Sequence, residues 1–173
     1  MNLFQITTIA RDGRLASTRG IVAGRPVYGH MQLDSYSCGS AAAFTCYCAR
    51  RWMRRGAMPP VRDYAAIRRE VAPDPERGSE LSHLNRVLRA RRGRLRLPEV
   101  SKQIRDGNLV IAAVHWPTEE EPDLLHYVVL AALRDDGKFL VLNKVVPAGD
   151  SRGWHDWMWV RNGASDETLV FRL

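Results

Sequence analysis

Gln32 and Cys38 stand six positions apart in Gln32-Leu33-Asp34-Ser35-Tyr36-Ser37-Cys38-Gly39. Two later segments, Leu124-Leu125-His126-Tyr127-Val128-Val129-Leu130 and Leu140-Val141-Leu142-Asn143, supply the other groups that a reactive thiol needs. A cysteine attacks a carbonyl as its thiolate, and a free thiol with pKa ~8.5 is mostly protonated at neutral pH. An imidazole can take that proton and later return it to a leaving amine. A side-chain amide can fix the imidazole tautomer, and a second amide can donate to a tetrahedral oxyanion. The order therefore reads as Cys38 nucleophile, His126 base, Asn143 orienting amide and Gln32 oxyanion donor, the last acting with the Cys38 backbone N–H. His115, His155, His83 and His30 are the rival imidazoles, His115 foremost; Asp156 and Asp123 are the rivals of Asn143.

These groups must be brought together by elements that the pattern also specifies. From Gly39 to about Arg55 the chain is alanine-rich, lacks proline and runs into Gly56, which predicts a helix. Cys38 would open it, where unsatisfied N–H groups and the positive end of the helix dipole favour an anionic sulfur. Pro59-Pro60 breaks the chain before a second helix over 61–71, with Tyr64, Ile67 and Val71 inward. A third helix is expected from a Ser79 cap to about Arg92, with Gly93 as its stop, and a short one near Glu99–Arg105.

The period then changes. Leu109–Val114 and Leu125–Leu133 are apolar runs of strand length, and Asp135-Asp136-Gly137 is a turn signal leading to a strand over Lys138–Asn143. That hairpin would bring His126 and Asn143 to the same open end. Residues 157–161 and 168–172 are each expected to add a strand. The whole reads as one α+β domain over 1–173, with a helical lobe at about 31–107, an antiparallel sheet lobe at about 108–173, and an active site at their seam.

The order Gln, Cys, His, Asn resembles the papain-like cysteine peptidase superfamily. Within it the chain is most similar to the bacterial C39-type peptidases, which pair a Gln-x5-Cys-Gly opening with a later His-Tyr-x-Val-Leu strand. Gln32…Cys38-Gly39 and His126-Tyr127-Val128-Val129-Leu130 carry that resemblance, which spans roughly residues 30–145. It implies a papain-like fold, peptide-bond hydrolysis and a protein or peptide substrate. Asn143-Lys144 stands where the C39 pattern has Asp-Pro, so the third member follows the papain type. The same thiol chemistry would also serve deamidation, transglutamination or another acyl transfer. A basic, non-catalytic nucleic-acid-binding module is the reading from a different class.

Composition narrows the field. Of 173 residues, 45% are hydrophobic and 26% charged, in the range of globular proteins. No apolar run reaches the ~20 residues of a membrane helix, and the first residues lack a signal-peptide pattern, so a cytoplasmic location is expected, with signal-independent export compatible. Three cysteines argue against a disulfide framework. On one helix, Cys46 and Cys48 would project to nearly opposite sides and could not grip one metal; they are expected to be packing residues. No metal and no organic cofactor is required. The formal charge of +7 is carried by arginines concentrated in residues 50–105. Arg89-Ala90-Arg91-Arg92-Gly93-Arg94-Leu95-Arg96 is read as a solvated helix end, and nucleic acid is not the expected partner.

Overall fold

Alanines make the first long helix unusual, and they explain how close it lies to the rest of the chain. In a computed structural model, residues 17–22, 25–30, 36–56, 62–115, 125–142, 153–161 and 165–173 are described. Helix α1, Cys38–Arg55, is buried continuously from Cys38 to Cys46 and again at Cys48 and Ala49. Small side chains let it approach its neighbours on nearly every side. It ends where Gly56 adopts φ 64° and donates its N–H to Trp52 O at 2.8 Å, a left-handed cap that glycine adopts without penalty.

The helix lies on an antiparallel sheet of six strands. These are β3 (Arg91–Arg94), β4 (Leu109–His115), β5 (Leu125–Leu133), β6 (Phe139–Leu142), β7 (Trp154–His155) and β8 (Glu167–Phe171), in the order β3-β8-β4-β5-β6-β7. A separate hairpin of β1 (Ser17–Val22) and β2 (Arg25–His30) lies beside α1, β5 and β6. Strand alternation divides the core in two. Leu109, Ile111, Val129, Leu140, Leu142, Leu169 and Phe171 face α1, where Ala42, Cys46 and Ala49 meet them. Val110, Ala112, Val114, Val128, Leu130 and Val141 face the other way. Each fully buried aliphatic side chain contributes about 1.5–3 kcal/mol of transfer free energy, so both faces matter to stability. Arg50 fastens α1 to β8: its guanidinium lies 3.7 Å from the Phe171 ring centroid and donates to Arg172 O at 2.9 and 3.2 Å.

Helices α2 (Arg62–Val71) and α3 (Leu81–Leu88) share the α1 side. Helices α4 (Leu97–Arg105) and α5 (Trp157–Arg161) lie on the other side, through Val100, Ile104 and Val160. The fold is thus α+β as expected, with α1, α2, the β4–β5–β6 meander and β8 where periodicity puts them.

The two-lobe division needs correction, because helices cover both sheet faces and β3 joins the sheet from within the expected helical segment. Arg91–Arg94 pairs antiparallel with Thr168 and its neighbours in β8, so the expected helix through Arg92 stops at Leu88 instead. Arg89, at φ 49°, turns the chain there. Ser79 does not cap α3; Glu80 occupies that position without a side-chain cap bond, and Ser79 is buried against α1. Residues 157–161 form helix rather than strand. The Asp156 carboxylate accepts from the Trp159 N–H at 2.9 Å, a capping bond that a strand reading by alternation overlooks. The β5–β6 turn does follow its signal: Gly137 takes φ 82°, and Arg134 and the Lys138 N–H hold the exposed Asp136 carboxyl down at about 2.

Candidate functional site

The approach to Cys38 is clamped by α2. Arg68 Nη2 donates to the Tyr36 hydroxyl at 2.8 Å, and the Ser37 and Tyr64 hydroxyls lie 3.4 Å apart in the interior. Ser37 therefore turns its side chain toward α2 and makes no side-chain cap on α1. Its carbonyl accepts from the Ala41 N–H at 3.0 Å and starts the helix. No acidic residue occupies the first turn. The positive end of an eighteen-residue helix is thus not neutralised by a carboxylate from its own first turn, and negative charge on the Cys38 sulfur is favoured there. Cys38 itself is 6% exposed.

Gly39 sets where that sulfur sits. A Cβ at this position would lie 2.4 Å from Ser79 Cβ, 2.5 Å from Ser79 Oγ and 2.8 Å from Leu84 Cδ1. Only a glycine lets the start of α1 press this closely on the segment leading into α3. The turn carrying the thiol is therefore seated from two sides, by α2 at Tyr36 and Ser37 and by the α3 lead-in at Gly39.

Opposite it comes the start of β5. Tyr127 is partly buried, packs against the α1-side core, and has its phenol pushed up to about 12. Burial is the main cause, followed by the negative charges of Cys38 and Glu80. Tyr127, Cys38 and the Ser79-Glu80 segment thus converge. Replacing Cys38 by alanine is expected to lower the Tyr127 titration midpoint while leaving the burial contribution, read from its ring resonances by NMR. An unchanged midpoint would show that the thiol and phenol are not electrostatically coupled.

His126 is the residue before Tyr127, partly exposed, and pairs with Val114 of β4. Alternation along β5 puts its Cβ on the side of Val128 and Leu130, opposite the side that α1 covers. His115 ends β4, pairs with Leu125 and, by the same alternation, shares the α1 side with Ile111 and Ala113. The two histidines stand on neighbouring strands at one end of the sheet. Of the other rivals, His155 is buried and packs on Trp159 with centroids 4.2 Å apart, His83 Nδ1 meets Val71 O at 3.1 Å while its Nε2 lies 3.9 Å from the Glu80 carboxylate, and His30 ends β2. Gln32 and Asn143 lie outside the described residues; β6 ends at Leu142, one residue before Asn143.

Cys46 and Cys48 separate as their spacing predicts. Cys46 joins the sheet-side core, whereas Cys48 packs with Phe44 and Tyr64. Burial pushes both thiols far above the ordinary range. Sequence reasoning singled out neither Tyr127 nor Ser79-Glu80 as neighbours of the thiol. The alternation of Tyr127 with Val129 was a readable signal for the first; nothing local announces the second. No family model, curated protein or solved structure matches the chain.

Proposed function

We propose that the chain is a papain-like thiol acyl-transfer enzyme, a cysteine peptidase with Cys38 as nucleophile. The observation that carries this reading is a cysteine at the N-terminus of a buried helix whose first turn holds no carboxylate, packed on the strand that opens with Leu125-His126-Tyr127. In this scheme His126 accepts the Cys38 proton and the thiolate attacks a peptide carbonyl. The oxyanion is held by the Cys38 N–H and the Gln32 amide. The C–N bond breaks as the imidazolium protonates the leaving amine, leaving a thioester on Cys38. Water, deprotonated by the imidazole, attacks the thioester, and the thiolate leaves as the acid is released. Asn143 accepts from the second imidazole N–H and fixes the tautomer.

Strand alternation favours a second assignment of the base, His115, within the same chemistry.

The test is labelling of the folded protein with a peptide bearing an electrophilic carbonyl mimic, followed by peptide mapping. Cys38, 6% exposed, is expected to take the label while Cys46 and Cys48, fully enclosed at 0% and held protonated by burial, stay unmodified until the protein is denatured. Equal labelling of all three thiols, or none at Cys38, would remove the enzyme reading. Product mass then separates hydrolysis, which splits a substrate peptide, from deamidation, which leaves it whole and about one dalton heavier through the same thioester.

A further inference from the structure

The arginine-rich segment is a sheet edge, and that changes what it can do. β3 ends the strand order; β8 pairs with one of its sides, and the other has no strand partner among the described residues. Such an edge presents backbone N–H and C=O groups at the spacing a further strand requires. Beside it runs a groove of about 810 Å³, lined by Arg92, Gly93, Arg94 and Arg96 together with Trp157 and Arg161 of α5. All four arginines are exposed, and none has an ion-pair partner among the described residues. Asp166 and Glu167 also line the groove without pairing to them, so the lining keeps an excess of two positive charges.

Gly93 adds a second feature. A Cβ there would lie 2.9 Å from Thr168 Oγ1 and 3.2 Å from Val170 Cγ2, so the strand carries no side chain at its middle on that side. The side chains of Thr168 and Val170 fill the space over Gly93, which seats β3 closely on β8. Arginines on an edge repel a second copy of the same edge and attract an acidic strand. A nucleic-acid strand is the poorer fit. One tryptophan, without interleaved aromatics, gives no run of stacking platforms for successive bases, and phosphates make no use of a free strand edge.

We infer that this groove binds an acidic peptide segment in extended conformation, added as a strand to the free edge of β3, with its carboxylates on Arg92, Arg94, Arg96 and Arg161. β3 ends the strand order three strands away from β5, whose start lies beside Cys38, so this site is separate from Cys38 and stands whether or not the thiol is catalytic.

The test uses the full chain and a fluorescent peptide of alternating Glu and Val. Comparators are its Lys counterpart and a single-stranded oligonucleotide of equal charge. At an ionic strength of ~0.15 M, where longer-range attraction is screened, the acidic peptide is expected to bind and the basic one not. Charge reversal at two exposed positions, Arg94→Glu with Arg96→Glu, is expected to weaken binding by about tenfold or more, 1.4 kcal/mol per decade, with the circular dichroism unchanged. Hydrogen exchange should slow at Arg92 and Arg94, whose N–H groups alternate away from β8, on binding, the mark of backbone pairing. Absence of binding, insensitivity to charge reversal, or binding without amide protection would each overturn the inference. Tighter retention of the oligonucleotide would reassign the groove to nucleic acid.

Discussion

Gly39→Ala is expected to destabilise the protein by about 1–3 kcal/mol, the usual range for forcing extra volume into a packed interior. The new methyl would meet Ser79 Cβ at 2.4 Å and Leu84 Cδ1 at 2.8 Å. Backbone must move to relieve the first contact, and the backbone that moves carries Cys38. Loss of stability and loss of Cys38 labelling should therefore appear together. Denaturant melts and the labelling rate measure the two. The companion variant Gly39→Ala with Ser79→Gly removes the Cβ and hydroxyl that the methyl meets and leaves only the flexible end of Leu84. It is expected to recover much of both losses. If the double variant is no better than the single, the close contact between α1 and the α3 lead-in is not what seats the thiol. Gly56→Ala gives a contrast. Nothing lies within 4 Å of a Cβ there, so its effect comes only from the left-handed φ of 64°, with no change in labelling rate.

Removing the base has the largest expected effect on activity. Positioned acid–base catalysis is worth about 10²–10⁴-fold, so His126→Ala is expected to reduce kcat/KM on a peptide substrate by that order, with His115→Ala near wild type. Both side chains are partly exposed at strand ends, so neither substitution should unfold the chain. The pH dependence of labelling adds a readout that a merely structural role would not move. Loss of the base removes the imidazole limb of the profile, whereas loss of a packing residue shifts only its height. The reverse result, a large loss in His115→Ala and none in His126→Ala, would make His115 the base. Chain order would then have misled where strand alternation did not. Small effects from both would leave Cys38 without an imidazole from this end of the sheet.

What was legible in advance follows from how local each signal is. α1 is written in a proline-free alanine run ending at Gly56, and the β5–β6 hairpin in two apolar runs about Asp135-Asp136-Gly137. Neither needs a distant partner to be recognised. The placement of Cys38 at a helix start follows from the first of these. β3 has no such signature. Arg91-Arg92-Gly93-Arg94 lacks apolar alternation and becomes a strand because β8, some seventy-five residues later, supplies its hydrogen bonds. The same distance hid the packing of helices on both sheet faces.

Composition and spacing alone determined an α+β chain with one thiol at a helix N-terminus, two others facing into packing, and histidines at the ends of adjacent strands. Tertiary structure decided the rest. It put Ser79 against Gly39 rather than on a helix cap, brought Cys38 and Glu80 within electrostatic reach of Tyr127, and made an arginine run the end strand of the sheet. The physical reason is that helix and turn propensities act over a few residues. Close approach, burial and strand pairing depend on surfaces that only the folded chain brings together.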